Sequence, residues 1–235
     1  CIHDLGLEVD GFVFSGLAAS EVALSETEKE LGVVTVDIGA GSTSICVFVE
    51  GTLELSSSLP IGARHITQDI ALGCRVSLET AEKIKLELSE NNPQDLKPKP
   101  GESKKEFTQR RNQADLIKPA DLGIAESIDE LSKKKIIEGI MVPRIKEIFK
   151  MIGTKLEANN LLPVIPAGIV ISGGGAETVG IAEVAKRTLN LPARVGLPNE
   201  ISGLTMDIHK PSFVTSIGLL EYGRQHGGGS KTMSS

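Results

Sequence analysis

The residues in this chain best suited to chemistry form one short run: Asp37, Gly39, Ala40, Gly41, Ser42 and Thr43, a carboxylate followed by glycines and hydroxyls between two β-branched segments. Glycine lets backbone N–H groups turn inward and approach an anion closely, and Ser42 and Thr43 add hydroxyl donors. A carboxylate at the end of the preceding strand can hold a hydrated Mg²⁺ beside that anion. The chemistry implied is phosphate binding, and the same residues would equally serve an ordinary hairpin turn. A second glycine cluster, Gly173, Gly174 and Gly175, follows an apolar run at 168–172 and precedes Ala176, Glu177 and a helical pattern. Glu82 and Lys85 lie three apart on an expected helix and project from the same side. On local grounds alone they are a surface ion pair.

The elements that must position these groups follow from periodicity. Residues 33–36, the alternating Ile45, Val47 and Val49, and residues 53–59 read as three consecutive antiparallel strands. Residues 11–16 read as a short strand and 17–24 as a helix, with a polar stretch at 25–30 leading to the hairpin. That opening strand and helix lack an evident sheet and are expected to belong to another domain. Residues 65–72 are predicted helical, and Ser77 caps a second helix, 78–88, with Leu78, Ala81, Ile84 and Leu88 on one face. Residues 91–118, rich in Pro, Lys, Gln, Asn and Glu, read as a long exposed excursion. Helical pattern returns at 130–156, interrupted at Pro143. A helix at 179–189, a short strand at 191–196, a helix at 212–222 and a flexible Gly/Ser tail complete the chain.

Composition bounds the class. The chain has 235 residues, a formal net charge of −6, 40% hydrophobic and 3% aromatic residues, and no Trp. It is therefore a globular chain with an aliphatic core. The acidic balance and scarce aromatics argue against nucleic acid as a partner. Three cysteines, Cys1, Cys46 and Cys74, lack paired metal-site spacing and suit a reduced, cytoplasmic setting. The longest apolar run, 161–171, is broken by Pro163, Pro166 and Gly168 and falls short of the roughly 20 residues that span a bilayer.

The ordered pair Asp37-Ile38-Gly39-Ala40-Gly41-Ser42-Thr43 and Ser172-Gly173-Gly174-Gly175 resembles the actin-like ATPase superfamily, which includes sugar kinases and heat-shock chaperone ATPases. The resemblance implies an α/β, ribonuclease H-like domain. In it the hairpin residues Asp37, Gly39, Ala40, Gly41, Ser42 and Thr43 hold the β- and γ-phosphates of ATP, and Asp37 holds Mg²⁺ through water. Gly173, Gly174, Gly175 and Glu177 then close over the adenosine, and Glu82-x-x-Lys85 reaches the ribose hydroxyls. Within the superfamily, residues 6–20 and 30–32, the helix at 78–85 and the segments 194–198, 201–205 and 216–223 are similar, in order and spacing, to the FtsA family of bacterial cell-division actin homologues. Residues 91–133 carry no such similarity.

The FtsA resemblance implies a division into 1–32, a remnant of a first nucleotide domain; 33–75, the opening segment of a second; 76–165, an inserted smaller α+β subdomain; 166–223, the closing segment of the second nucleotide domain; and 224–235, a flexible tail. The N-terminal half of the fold, with its own phosphate loop, is expected to lie before residue 1. FtsA's amphipathic C-terminal membrane helix has no counterpart in 224–235. The implied function is a scaffold that binds ATP, polymerises and links FtsZ filaments to the cytoplasmic face of the inner membrane. No general base is evident, so slow or absent hydrolysis is expected, with nucleotide acting as a switch. Lys146, Lys150 and Lys155 on the helix 136–156 are candidate contacts for the FtsZ tail. The alternatives are a PilM-like platform protein of type IV pilus assembly and a small-molecule kinase of the same superfamily.

Overall fold

The computed structural model describes residues 3–6, 8–9, 11–91, 96–118, 122–123, 130–199 and 206–226. Of the segments used above, residues 1–2, 7, 10, 92–95, 119–121, 124–129, 200–205 and the tail 227–235 lie outside the described residues. In chain order the elements are α1 (Ser15–Ala23), α2 (Glu26–Leu31), β1 (Val33–Ile38), β2 (Thr43–Val49), β3 (Thr52–Leu59), α3 (Ala63–Cys74), α4 (Leu78–Glu90), α5 (Lys104–Ala114), β4 (Leu116–Ile117), β5 (Leu131–Ser132), α6 (Lys133–Ile136), a π-helical turn (Ile137–Met141), α7 (Val142–Ala158), β6 (Gly168–Ser172), α8 (Ile181–Leu189), β7 (Ala193–Val195) and α9 (Val214–His226).

The β-branched run of β1 is buried along its whole length and forms the middle of a five-stranded sheet ordered β3-β2-β1-β6-β7. β1, β2 and β3 form an antiparallel meander, whereas β6 runs parallel to β1 and β7 parallel to β6. This register places Asp37 opposite Ser44 on one side and Ser172 on the other. The hairpin and the glycine cluster, some 130 residues apart in sequence, therefore leave adjacent strands at the same end of the sheet.

Side chains alternate across β1, so its two faces feed different cores. Val34, Val36 and Ile38 pack with Ile66, Ile70, Ile84, Leu88, Ile148, Phe149 and Ile181 from α3, α4, α7 and α8. Val33, with Cys46, Phe48 and Val170, meets Ala19, Val22 and Ala23 of α1 and Val214 and Ile217 of α9. Thus α1 does pack on this sheet, contrary to the expectation that it has none here. Its alanines give a weak amphipathic pattern because they serve a close helix contact: a Cβ on Gly218 would lie 1.8 Å from the Ala18 carbonyl oxygen.

Several local expectations are corrected. Residues 11–14 form no strand, since no ladder partner reaches them; Phe12 is 97% exposed, and Ser15 and Gly16 begin α1. The polar stretch at 25–30 is helical because Ser25 and Glu28 form a reciprocal capping box. The same device, Ser103 with Glu106, starts α5 inside the polar excursion. Just beyond it, β4 pairs with β5. The helical pattern of 130–156 is divided into α6, the π turn and α7, with Pro143 in the first turn of α7, directly after the π turn. No helix among the described residues is long and apolar enough to cross a membrane.

Candidate functional site

The hairpin is locked from below. Gly39 N–H donates to the Ser42 carbonyl at 2.9 Å, while the first amides of α3, Ala63 and Arg64, donate to the carbonyls of Gly39 and Ala40 at 2.9 Å each. Gly62 makes this docking possible: a Cβ there would lie 2.5 Å and 2.6 Å from the Gly39 and Ala40 oxygens. Among the described residues no backbone acceptor engages the amides of Ala40 and Gly41. Those two amides, with exposed Ser42, are the groups left to meet an anion. The Thr43 hydroxyl is not among them, because it is buried and donates to the Ile61 carbonyl at 2.7 Å. Gly41 is in no left-handed conformation and has open space around it. Its value to the site is room, not an unusual φ.

Asp37 lies at the end of β1, 9% exposed, on the sheet face that carries α1 and α9. Burial raises its pKa, and hydrogen bonding from the Thr215 hydroxyl at 3.1 Å, with the fields of Ser15 and Ser172, offsets that only in part. The Ser172 hydroxyl is itself buried and, among the described residues, has no partner at hydrogen-bond geometry. Gly173 closes over this carboxylate in a conformation reserved for glycine, φ +81° and ψ 171°, with Asp37 Oδ1 2.5 Å from where a Cβ would stand.

On the opposite sheet face, α3, α4 and the turn after β6 enclose a cleft of about 480 Å³. It brings together Gly39 and Ala40 of the hairpin, Glu82 and Lys85 of α4, and Gly174, Gly175 and Glu177. An extension of about 210 Å³ runs past Lys85 to Ser89 and Thr178. Gly174 leaves the cleft wall open, with nothing within 4 Å of the place a Cβ would take, whereas Gly175 packs against Ile38. Asp37, Gly41, Ser42, Thr43 and Gly173 do not line this space.

Glu82 and Lys85 are more than a surface pair. Lys85 is 9% exposed, and its ammonium donates to Glu82 Oε2 at 2.8 Å and to the Thr67 hydroxyl at 3.0 Å. Thr67 in turn donates to the same carboxylate oxygen at 2.6 Å. Burial alone would raise the Glu82 pKa; the hydrogen bonds from Lys85 and Thr67 and the lysine's charge outweigh it and hold the carboxyl below its ordinary range. Sequence motifs do not point to Thr67, nor to Arg64, which supplies a cation at the cleft mouth, nor to Ser212, whose hydroxyl ties down Glu177 at 2.7 Å. Of these three, Arg64 alone left a sequence signal, its place two residues after Gly62 at the Pro60-Ile61-Gly62 bend.

The donor set suits a nucleotide: hairpin amides and Arg64 for phosphates, a paired carboxylate and ammonium for a diol, and a glycine-floored wall for a flat base. Among the described residues no cluster of His, Cys, Asp or Glu could cage a metal by itself.

The lysines of α7 divide. Lys146 and Lys150, four apart, line a groove of about 650 Å³ between α7 and α8 with Val142, Val179, Val184 and Arg187. Lys155 does not line it, being five residues beyond Lys150 and so turned to another face.

Residues 34–218 match the family model described as cell division protein FtsA. The chain is 33% identical over 234 residues to cell division protein FtsA of Pseudomonas aeruginosa, covering 100% of this chain and 52% of that protein. To the Escherichia coli FtsA it is 31% identical over 232 residues, covering 95% of this chain and 51% of that one. The chain spans about half the length of the curated relatives it matches. Among solved structures, MreB5 of Spiroplasma citri bound to ADP superimposes with a TM-score of 0.66 at 18% identity, covering 95% of this chain and 62% of that one. The PilM–PilN type IV pilus biogenesis complex gives a TM-score of 0.57 at 18% identity, covering 89% of this chain and 50% of that one. At such identities the two structures establish an actin-like fold and nothing finer.

Proposed function

Because the chain belongs to the FtsA family of cell division proteins, we propose that it forms one wall of an ATP cleft in an actin-like scaffold that polymerises and links FtsZ filaments to the cytoplasmic face of the inner membrane. The observation that carries this reading is the convergence of the hairpin, Glu82–Lys85 and the glycine turn on one cleft. Residues 33–75 and 166–223 act as the nucleotide domain, with α1 packed on the same sheet, and 76–165 act as its inserted subdomain. The amides of Ala40 and Gly41 and the Ser42 hydroxyl bind the β- and γ-phosphates, Glu82 and Lys85 hold the ribose, and Gly174 floors the base. Bound ATP with Mg²⁺ supplies the negative charge that these donors are arranged to meet. Asp37 orders the water shell of the metal from beneath the hairpin. Nucleotide then acts as a switch of assembly.

The test uses Gly41→Val in the full-length protein. A branched side chain fits the open space without strain, so the variant keeps its melting temperature while losing at least tenfold in ATP affinity by titration, because it occupies the anion's place. Unchanged ATP affinity in the folded variant would remove the phosphate site from this hairpin. For the partner, Lys146→Glu with Lys150→Glu weakens binding of an FtsZ tail peptide at low salt, whereas Lys155→Glu does not. Equal effects of the two would take the α7–α8 groove out of the docking surface.

A further inference from the structure

Glu82 presents its two carboxylate oxygens unequally. Oε2 accepts from both the Thr67 hydroxyl and the Lys85 ammonium, while among the described residues no hydrogen-bond donor engages Oε1. The Thr67 hydroxyl has one proton, which goes to Glu82 Oε2 at 2.6 Å ahead of the Ala63 carbonyl at 3.5 Å, and it uses a lone pair to accept from Lys85. It is thus satisfied in both directions, and it is buried on α3, an element that is itself pinned to the phosphate hairpin through Ala63 and Arg64. A carboxylate held at one oxygen by two donors is fixed in rotation, and its other oxygen has one direction left to point. Thr67 also lines the cleft, within the wall that Glu82 and Lys85 form.

From this geometry we propose that Thr67 is a positioning residue that sets recognition of a ribose diol, by clamping Glu82 Oε2 so that Oε1 and the one remaining ammonium proton of Lys85 face the sugar. The inference rests on the nucleotide reading of the cleft and adds a specificity determinant from a helix outside the Glu-x-x-Lys sequence. It makes sugar recognition depend on α3, so that the hairpin and the ribose pair are registered to each other through one helix.

The experiment compares the full-length protein with Thr67→Val, which keeps the shape and removes the hydroxyl, and with Thr67→Ser, which keeps the hydroxyl. ATP and 3′-deoxy-ATP are titrated against each, and thermal melting checks that each is folded. The wild type is expected to favour ATP by about tenfold, the scale of one hydrogen bond to a charged group. In Thr67→Val that preference falls to about twofold or less, chiefly through weaker ATP binding, and Thr67→Ser restores it. A merely structural role for Thr67 would lower the melting temperature and leave the ratio of the two affinities unchanged; an unchanged ratio overturns the inference while the nucleotide cleft stands. A wild type that fails to bind ATP at all overturns the cleft reading and this inference with it. Should Thr67→Val not fold, Thr67→Ala carries the same comparison with the same two outcomes.

Discussion

The two carboxylates of the site sit in opposite surroundings. Asp37 is walled in by hydroxyls and by Gly173, with no cation placed to pair with it among the hydrogen bonds it makes; burial wins and its pKa rises. Glu82 has one hydroxyl and one ammonium, and the pair outweighs burial so that its pKa falls. A hydroxyl is a neutral dipole and recovers only part of the solvation a carboxylate loses, whereas an adjacent charge-assisted bond recovers more than the loss. The steric character differs in the same sense. The turn above Asp37 is jammed, and the wall beside Glu82 is open at Gly174. One half of the site is therefore poised, holding a costly charge that a bound cation would relieve, and the other is preassembled.

The sharpest way to break this contrast is through the glycines. Gly173→Ala places a Cβ 2.5 Å from Asp37 Oδ1 and 2.6 Å from the Ile38 carbonyl, in a conformation that L-residues avoid. It should cost about 3 kcal/mol in urea unfolding, while Gly174→Ala, with open space and an ordinary φ, changes stability by less than about 0.5 kcal/mol. Equal costs would mean that the two halves are packed alike. A smaller effect is expected from Glu82→Gln, which leaves the buried Lys85 ammonium without a counter-charge. Buried pairs lose more when one partner goes, but Glu82 is half-exposed and water screens the remaining lysine, so about 1.5 kcal/mol is expected in the same measurement.

The jammed half was the more legible in sequence. Asp37 and the glycines that follow it, Gly39 and Gly41, carry their chemistry in a contiguous motif, and the β-branched flanks fix them at the strand ends. What sequence left out is what distance in the chain conceals: Thr215 on Asp37, Ser212 on Glu177 and Thr67 between Glu82 and Lys85 are single hydroxyls on helices or turns, with no local pattern of their own. The strand expected at 11–16 failed for a related reason. Its β-branched and aromatic residues meet the propensity, but a strand exists only where a ladder partner is offered, and none reaches 11–14. The small residues of α1 point away from this sheet in sequence because they conceal how closely the helix meets α9. Thr43 shows the opposite error. Its hydroxyl belongs to the motif by sequence and to the Ile61 carbonyl by structure.

The smallest effect, and the one that separates the two carboxylates by sign, is in the pH dependence of stability. For Asp37 the folded state holds the proton more tightly than the unfolded chain, whose carboxyl titrates near 3.8. Its contribution is therefore greatest below that value and declines as pH rises towards the raised folded pKa. For Glu82 the folded pKa lies under the ordinary 4.5, so its contribution is present above 4.5 and is lost as pH falls through the folded value. Asp37→Asn removes the first dependence and leaves the second. The variant should gain about 0.5 kcal/mol at neutral pH, the scale of one modest hydrogen-bond difference, and its stability should stop declining above about pH 4 on Asp37's account. Glu82→Gln should do the reverse, flattening the acid limb while leaving that decline in place. Urea midpoints collected from about pH 3 to pH 8 check both. If Asp37→Asn is less stable than wild type across that whole range, the ionised Asp37 is a structural support of the hairpin and the poised half of the comparison is wrong.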